Sequence, residues 1–72
     1  MTAKEFYKRL ESPEIQMYIV VVMALNDFKR GDYATGMERL VVDCDKLRMH
    51  DPELVEEIRQ RYNTFKRDKC YE

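Results

Sequence analysis

The sequence predicts an all-α fold: a compact antiparallel four-helix bundle with helices at about 2–10, 13–30, 33–49 and 52–69. Three observations predict it. Helix start signals recur at Thr2, Ser12-Pro13, Asp32 and Asp51-Pro52, each ahead of an apolar run with helical spacing. Only two Gly and two Pro interrupt the 72 residues, too few turn residues for an all-β sandwich. The stretches between periodic segments are short, and short connections make successive helices antiparallel neighbours.

Thr2-Ala3-Lys4-Glu5 reads as a capping box, in which the Thr2 hydroxyl accepts from the Glu5 amide and the Glu5 carboxylate reaches back. The helix it opens carries Phe6 and Leu10 on one face, with Tyr7 beside them. Ser12 is the expected N-cap of the second helix. Pro13 suits its first position, where a missing N–H loses no partner, and Glu14 favours the positive helix end. This helix is expected to run to Arg30, with Gly31 as a left-handed stop. Met17, Tyr18, Val21, Ala24, Leu25 and Phe28 hold its period. The β-branched run Ile19-Val20-Val21-Val22 favours a strand by propensity. Two facts decide for helix: the segment is too long for a strand, and no second strand-like run exists to pair with it. Asp32 caps the third helix, where Tyr33, Met37, Leu40, Val41, Cys44 and Leu47 share a face. Gly36 costs that helix about 1 kcal/mol relative to Ala and admits close approach of the second helix. Asp51-Pro52-Glu53-Leu54 opens the fourth helix. Leu54, Val55, Ile58, Tyr62 and Phe65 form its inner stripe, and Lys66, Arg67 and Lys69 suit its negative end.

Thirteen basic residues against fourteen acidic give a net charge of -1, so the chain exerts no general attraction on nucleic acid or anionic lipid. The longest apolar run, Tyr18 to Leu25, is far short of the roughly 20 residues a spanning helix needs. No basic stretch leads into an apolar one at the N-terminus, so no signal peptide is expected. A single helical domain over residues 1–72 is expected at this length. Cys44 and Cys70 form no C-x-x-C and are too few for a disulfide scaffold. They read as free thiols of an intracellular protein, cytoplasmic or nuclear, with a Cys44–Cys70 bridge as the alternative.

No catalytic constellation is visible, and the expectation is a non-enzymatic protein without a cofactor. Cys44 falls on an inner helical face, where a structural thiol is inert. His50 sits at a helix junction and is expected to hydrogen-bond a carbonyl at the end of the third helix. Asp43 and Asp45 are two residues apart and point to different helix faces. Cys44, His50 and these aspartates have no metal-ligand spacing, and there is no Gly-rich phosphate loop.

Two binding classes remain. A nucleic-acid reading uses Arg59, Arg61, Lys66, Arg67 and Lys69, with Tyr62 and Phe65 between them. Glu56, Glu57 and Asp68 interrupt this stretch, Tyr62 and Phe65 match the core stripe, and a solvated helix face is the plainer account. A protein-partner reading starts from the second helix, which is apolar almost all round. Ile19 and Val22 lie opposite Val21 and Leu25, and each exposed aliphatic side chain forgoes about 1.5–3 kcal/mol of burial. A partner is expected to cover them: an amphipathic helix of another protein, or a second copy of this chain. Phe6, Tyr7, Leu10, Met17, Tyr18 and Val21 are the expected docking residues, with Lys4, Lys8 and Arg9 on the rim to steer an acidic partner. Met17, Met23 and Tyr7 are adaptable residues that suit such a surface. The plainer reading is that these side chains complete the core.

Ala24-Leu25-x-x-Phe28-Lys29-Arg30-Gly31-Asp32-Tyr33 is similar to one helix pair of a tetratricopeptide repeat. A broader likeness spans roughly residues 13 to 65. Phe28-Lys29 at a helix end, His50-Asp51-Pro52-Glu53-Leu54 and Tyr62-Asn63-Thr64-Phe65 together resemble the paired amphipathic helix domain of transcriptional corepressors. Asp51 here separates His50 from Pro52, and Lys66-Arg67 stands where that family has a Leu-Pro turn. The harmonin-homology domain, another αα-hub fold, is similar to the same degree. This resemblance implies four helices and a groove between the first two that receives an amphipathic helix.

Overall fold

Capping residues and glycine set most helix ends in the computed structural model, which describes the backbone of residues 1–70 and the side chains of residues 1–66. Five α-helices form: α1 (Ala3–Leu10), α2 (Pro13–Gln16), α3 (Ile19–Lys29), α4 (Tyr33–Asp43) and α5 (Pro52–Cys70), with a 3₁₀ turn at Cys44–Leu47. There is no strand among the described residues, so the all-α fold holds.

The helix expected over 13–30 is broken. Tyr18 takes an extended backbone (φ -90°, ψ 119°) between α2 and α3. The break has a packing cause. Ile15 and Val21 are six residues apart, so in one continuous helix they would face directions roughly 120° apart. Both are instead buried, because the chain turns between them. The same turn expels Met17, which a continuous helix would align with Val21, Ala24 and Phe28. The Tyr18 side chain helps hold the break, with its Oη 3.1 Å from His50 Nε2 and the two rings edge to face. His50 therefore spends its ring on Tyr18 rather than on a carbonyl, while its backbone N–H donates to Leu47 O.

The helix expected over 33–49 stops at Asp43. The tighter 3₁₀ winding that follows stacks residues three apart on one side. Cys44 and Leu47 are both buried in consequence. Met49, beyond the turn, is exposed.

The caps divide the same way. Thr2 Oγ1, Asp32 Oδ1 and Asp51 Oδ1 accept from the amides of Glu5, Thr35 and Leu54. Ser12 makes no such bond, so Pro13 alone marks that start. Glu5 does not close the capping box, since its carboxylate pairs with Arg9 one turn on. Gly31 ends the α3 segment at φ 83°, the left-handed conformation that glycine adopts without a Cβ penalty.

Phe6, Leu10, Ile15, Val21, Ala24, Leu25, Met37, Leu40, Cys44, Leu47, Leu54, Val55 and Ile58 form one core. α3 and α4 make its closest pair. An ideal Cβ on Gly36 would lie 2.4 Å from Phe28 Cε1, so the ring packs directly on the α4 backbone. Tyr7, Phe28, Tyr33 and Phe65 extend this contact as a chain of ring pairs with centroids 5.4–5.6 Å apart. The radius of gyration is 11.5 Å, close to the roughly 11 Å of a packed chain of this length.

Candidate protein-interaction surface

The side chains left outside define the site. On α3, Val21, Ala24, Leu25 and Phe28 face inward, so Ile19, Val22, Met23, Asn26 and Arg30 form the outer stripe at helical spacing. Its first half is apolar. Ile19 is 75% exposed, Val22 41% and Met23 40%. Met17, just before α3, is 79% exposed, and Val42 on the neighbouring α4 is 77% exposed. Val20 and Val42 line one shallow depression with Thr35, Glu38, Arg39 and Asp43. The five exposed side chains leave roughly three side chains' worth of apolar surface in water, on the order of 300 Å² and 5–9 kcal/mol of forgone burial. Meanwhile no buried side-chain nitrogen or oxygen lacks a partner among the described residues. The interior is satisfied; this outer face is not.

One end of the face is charged and ordered. Asp27 is 2% exposed and accepts from Arg30 Nη2 on one oxygen and from Arg39 Nε, 2.8 Å away, on the other. A buried carboxylate needs such pairing to remain charged. Both guanidiniums also help to lower the Asp32 carboxyl, so two arginines face two carboxylates at this end. Met23 and Asn26 share a shallow pocket with Asp27, Arg30 and Arg39.

The expected docking residues separate into two groups. Phe6, Leu10 and Val21 are core side chains with no exposed surface, so they cannot touch a partner. Phe6 is fully enclosed, with the Arg61 guanidinium 4.7 Å above its ring. Tyr7 and Tyr18 are half-buried and Met17 is exposed. The region between the first two expected helices is thus filled by the chain's own side chains. A shallow depression between α1 and α3 remains, lined by Tyr7, Glu11, Leu25, Phe28 and Lys29. Arg9 is committed to Glu5, Asp51 and Glu53, where it ties α1 to the start of α5 instead of steering a partner. Val42 was not among the expected docking residues. Its signal is present in Leu40-Val41-Val42, where Val42 falls off the inner stripe of Met37, Leu40 and Cys44.

Two of the basic residues of α5 are held in ion pairs. Arg59 Nη2 lies 2.6 Å from Asp45 Oδ1, and Arg61 Nε 2.7 Å from Glu57 Oε2. Lys66 is exposed. The side chains of Arg67 and Lys69 lie outside the described residues, as does that of Cys70. Tyr62 is partly buried against the core, and Phe65 meets Tyr33 edge to face.

Cys44 is buried and its Sγ donates to Val41 O at 3.4 Å. Burial pushes its thiol up, against the pull of Arg59. Burial and the neighbouring Tyr33 likewise raise the Tyr7 hydroxyl. Hydrogen bonds from Arg59 and Arg48 hold the Asp45 carboxyl below its ordinary range, and those from Thr35 do the same for Asp32. Asp43 instead pairs with Lys46, so the two aspartates serve different partners. No group of three or more His, Cys, Asp or Glu residues able to hold a metal ion occurs among the described residues. No helix there is long and apolar enough to cross a membrane. No protein-family model, curated protein or solved structure matches the chain.

Proposed function

We propose that this chain is a non-enzymatic protein-interaction module, an adaptor or regulatory docking domain, whose working surface is the outer face of α3 together with Val42 of α4. One observation carries the reading: Met17, Ile19, Val22, Met23 and Val42 stay in water although the core beneath them is sealed. A four-helix description applies to the interaction fold if α2 and α3 are taken as one bent unit. The face has the dimensions of a helix-binding stripe, with apolar positions one turn apart and adaptable methionines at Met17 and Met23. Its occupant is an apolar helix face. The ion pairs at Arg59 and Arg61 favour this reading over nucleic-acid binding through α5, because a guanidinium held by a carboxylate gains little from a phosphate.

The test is a selection from a library of amphipathic helical peptides against the folded chain, followed by mapping of the bound peptide by amide and methyl NMR shifts. Selected peptides should perturb Ile19, Val22, Met23 and Val42. Ile19→Glu should weaken them by at least about tenfold, the effect of losing roughly 1.4 kcal/mol. Failure to select any peptide, or shifts confined to the α1–α5 seam, would sink the proposal.

A further inference from the structure

We propose that Met17 and Met23 are oxidation sites of this chain, and that a peroxide converting them to the sulfoxide switches the docking surface off. The switch rests on the docking reading above; the two sites rest on where the fold puts its methionines. The chain has five of them. Met37 is fully enclosed in the core, whereas Met17 is 79% exposed and Met23 40%. Both of these belong to the apolar face. Met1 and Met49 are exposed as well, Met1 ahead of α1 and Met49 between the 3₁₀ turn and α5. Cys44 is buried. An oxidant in solution therefore meets the methionines of the face while the sulfurs of the core are enclosed.

The chemistry is a single oxygen transfer. A sulfur lone pair attacks one oxygen of the peroxide, so an S–O bond forms as the O–O bond breaks. Sulfur gives up two electrons and the peroxide takes them. A proton passes to the departing oxygen, which for hydrogen peroxide leaves as water. The product changes what the face can do. A thioether is apolar and adapts its shape to a partner. A sulfoxide carries a hydrogen-bond acceptor, and burying that oxygen under an apolar helix without a donor is costly. Met17 and Met23 bracket Ile19 and Val22 in the sequence, so oxidation of both sets a polar group at each end of the apolar stretch. Met37 stays enclosed, so docking is lost without unfolding. A dithiol-dependent sulfoxide reductase reverses the change, the oxygen leaving as water and the dithiol becoming a disulfide.

The test treats the folded full chain with hydrogen peroxide and follows each methionine by peptide mapping in a mass spectrometer. Met17 and Met49 should oxidise first, Met23 more slowly and Met37 last, with helicity unchanged. After removal of the peroxide, a helical peptide free of Met and Cys, selected against the untreated chain, should bind at least about tenfold more weakly. Reductase with dithiothreitol should restore its affinity. The Met17→Leu/Met23→Leu variant should bind as the parent does and keep its affinity after peroxide, whereas Met49→Leu should remain sensitive. Met37 oxidising as fast as Met17 overturns the assignment of the sites. A peptide that binds treated and untreated chain alike, or a double variant as sensitive as the parent, overturns the switch and leaves the docking surface standing. If no peptide can be selected while the oxidation order holds, the docking proposal falls, the switch falls with it, and Met17 and Met23 stand as oxidation sites alone.

Discussion

Phe28 and Gly36 show how one missing carbon sets the distance between two helices. The sequence pointed to close approach at Gly36, and the Phe28 ring fills the space a Cβ would need. Gly36→Ala should therefore destabilise the fold by about 1–3 kcal/mol through overpacking, even though Ala is the better helix former by about 1 kcal/mol. A lowered urea midpoint would register the loss; a raised one would mean the ring moves aside freely. Single residues elsewhere were harder to read. The Tyr18 side chain at the helix break meets His50, 32 residues away, and no local pattern carries that information.

Elements were legible where their ends are chemical. Asp32, Asp51 and Thr2 carry cap bonds, and Gly31 carries the left-handed stop. Ser12 looks like a cap in sequence and makes none. The contrast is measurable: Asp32→Ala should lower the thermal midpoint through loss of its cap bond, whereas Ser12→Ala should leave the midpoint close to that of the parent. Equal losses would contradict the cap geometry. Breaks inside elements were not legible. The segment from Pro13 to Arg30 has adequate helical period throughout, and its interruption comes from the competition between Ile15 and Met17 for the core.

At the scale of the whole molecule, the core decides what a substitution does. Phe6 is fully enclosed, so Phe6→Ala should cost about 3–5 kcal/mol. That is a large share of the roughly 5–15 kcal/mol typical of small domains. The expected outcome is loss of helicity in circular dichroism at moderate temperature. Retained cooperative unfolding at the parent midpoint would contradict this packing.

The charge network predicts an acid response. Asp45 and Asp32 have lowered folded-state values. Their contribution to stability is complete above the ordinary carboxylate value near 3.9 and is lost as pH falls below it toward the lowered values. Asp45→Asn should flatten the fall in thermal midpoint below about pH 4. An unchanged acid limb would show that the Arg48 and Arg59 pairs contribute nothing there.

The sequence by itself determined that the chain is helical, where most helices begin, and that the segment from Met17 to Met23 carries more apolar surface than it can bury. Those properties are local: caps, glycine and periodicity act within a few residues. Only the tertiary structure decided which of those apolar residues would be outside. Phe6, Leu10 and Val21 went in, while Met17, Ile19 and Val42 stayed out. The physical reason is that burial is a competition for one small interior, and its outcome depends on how distant segments fill it.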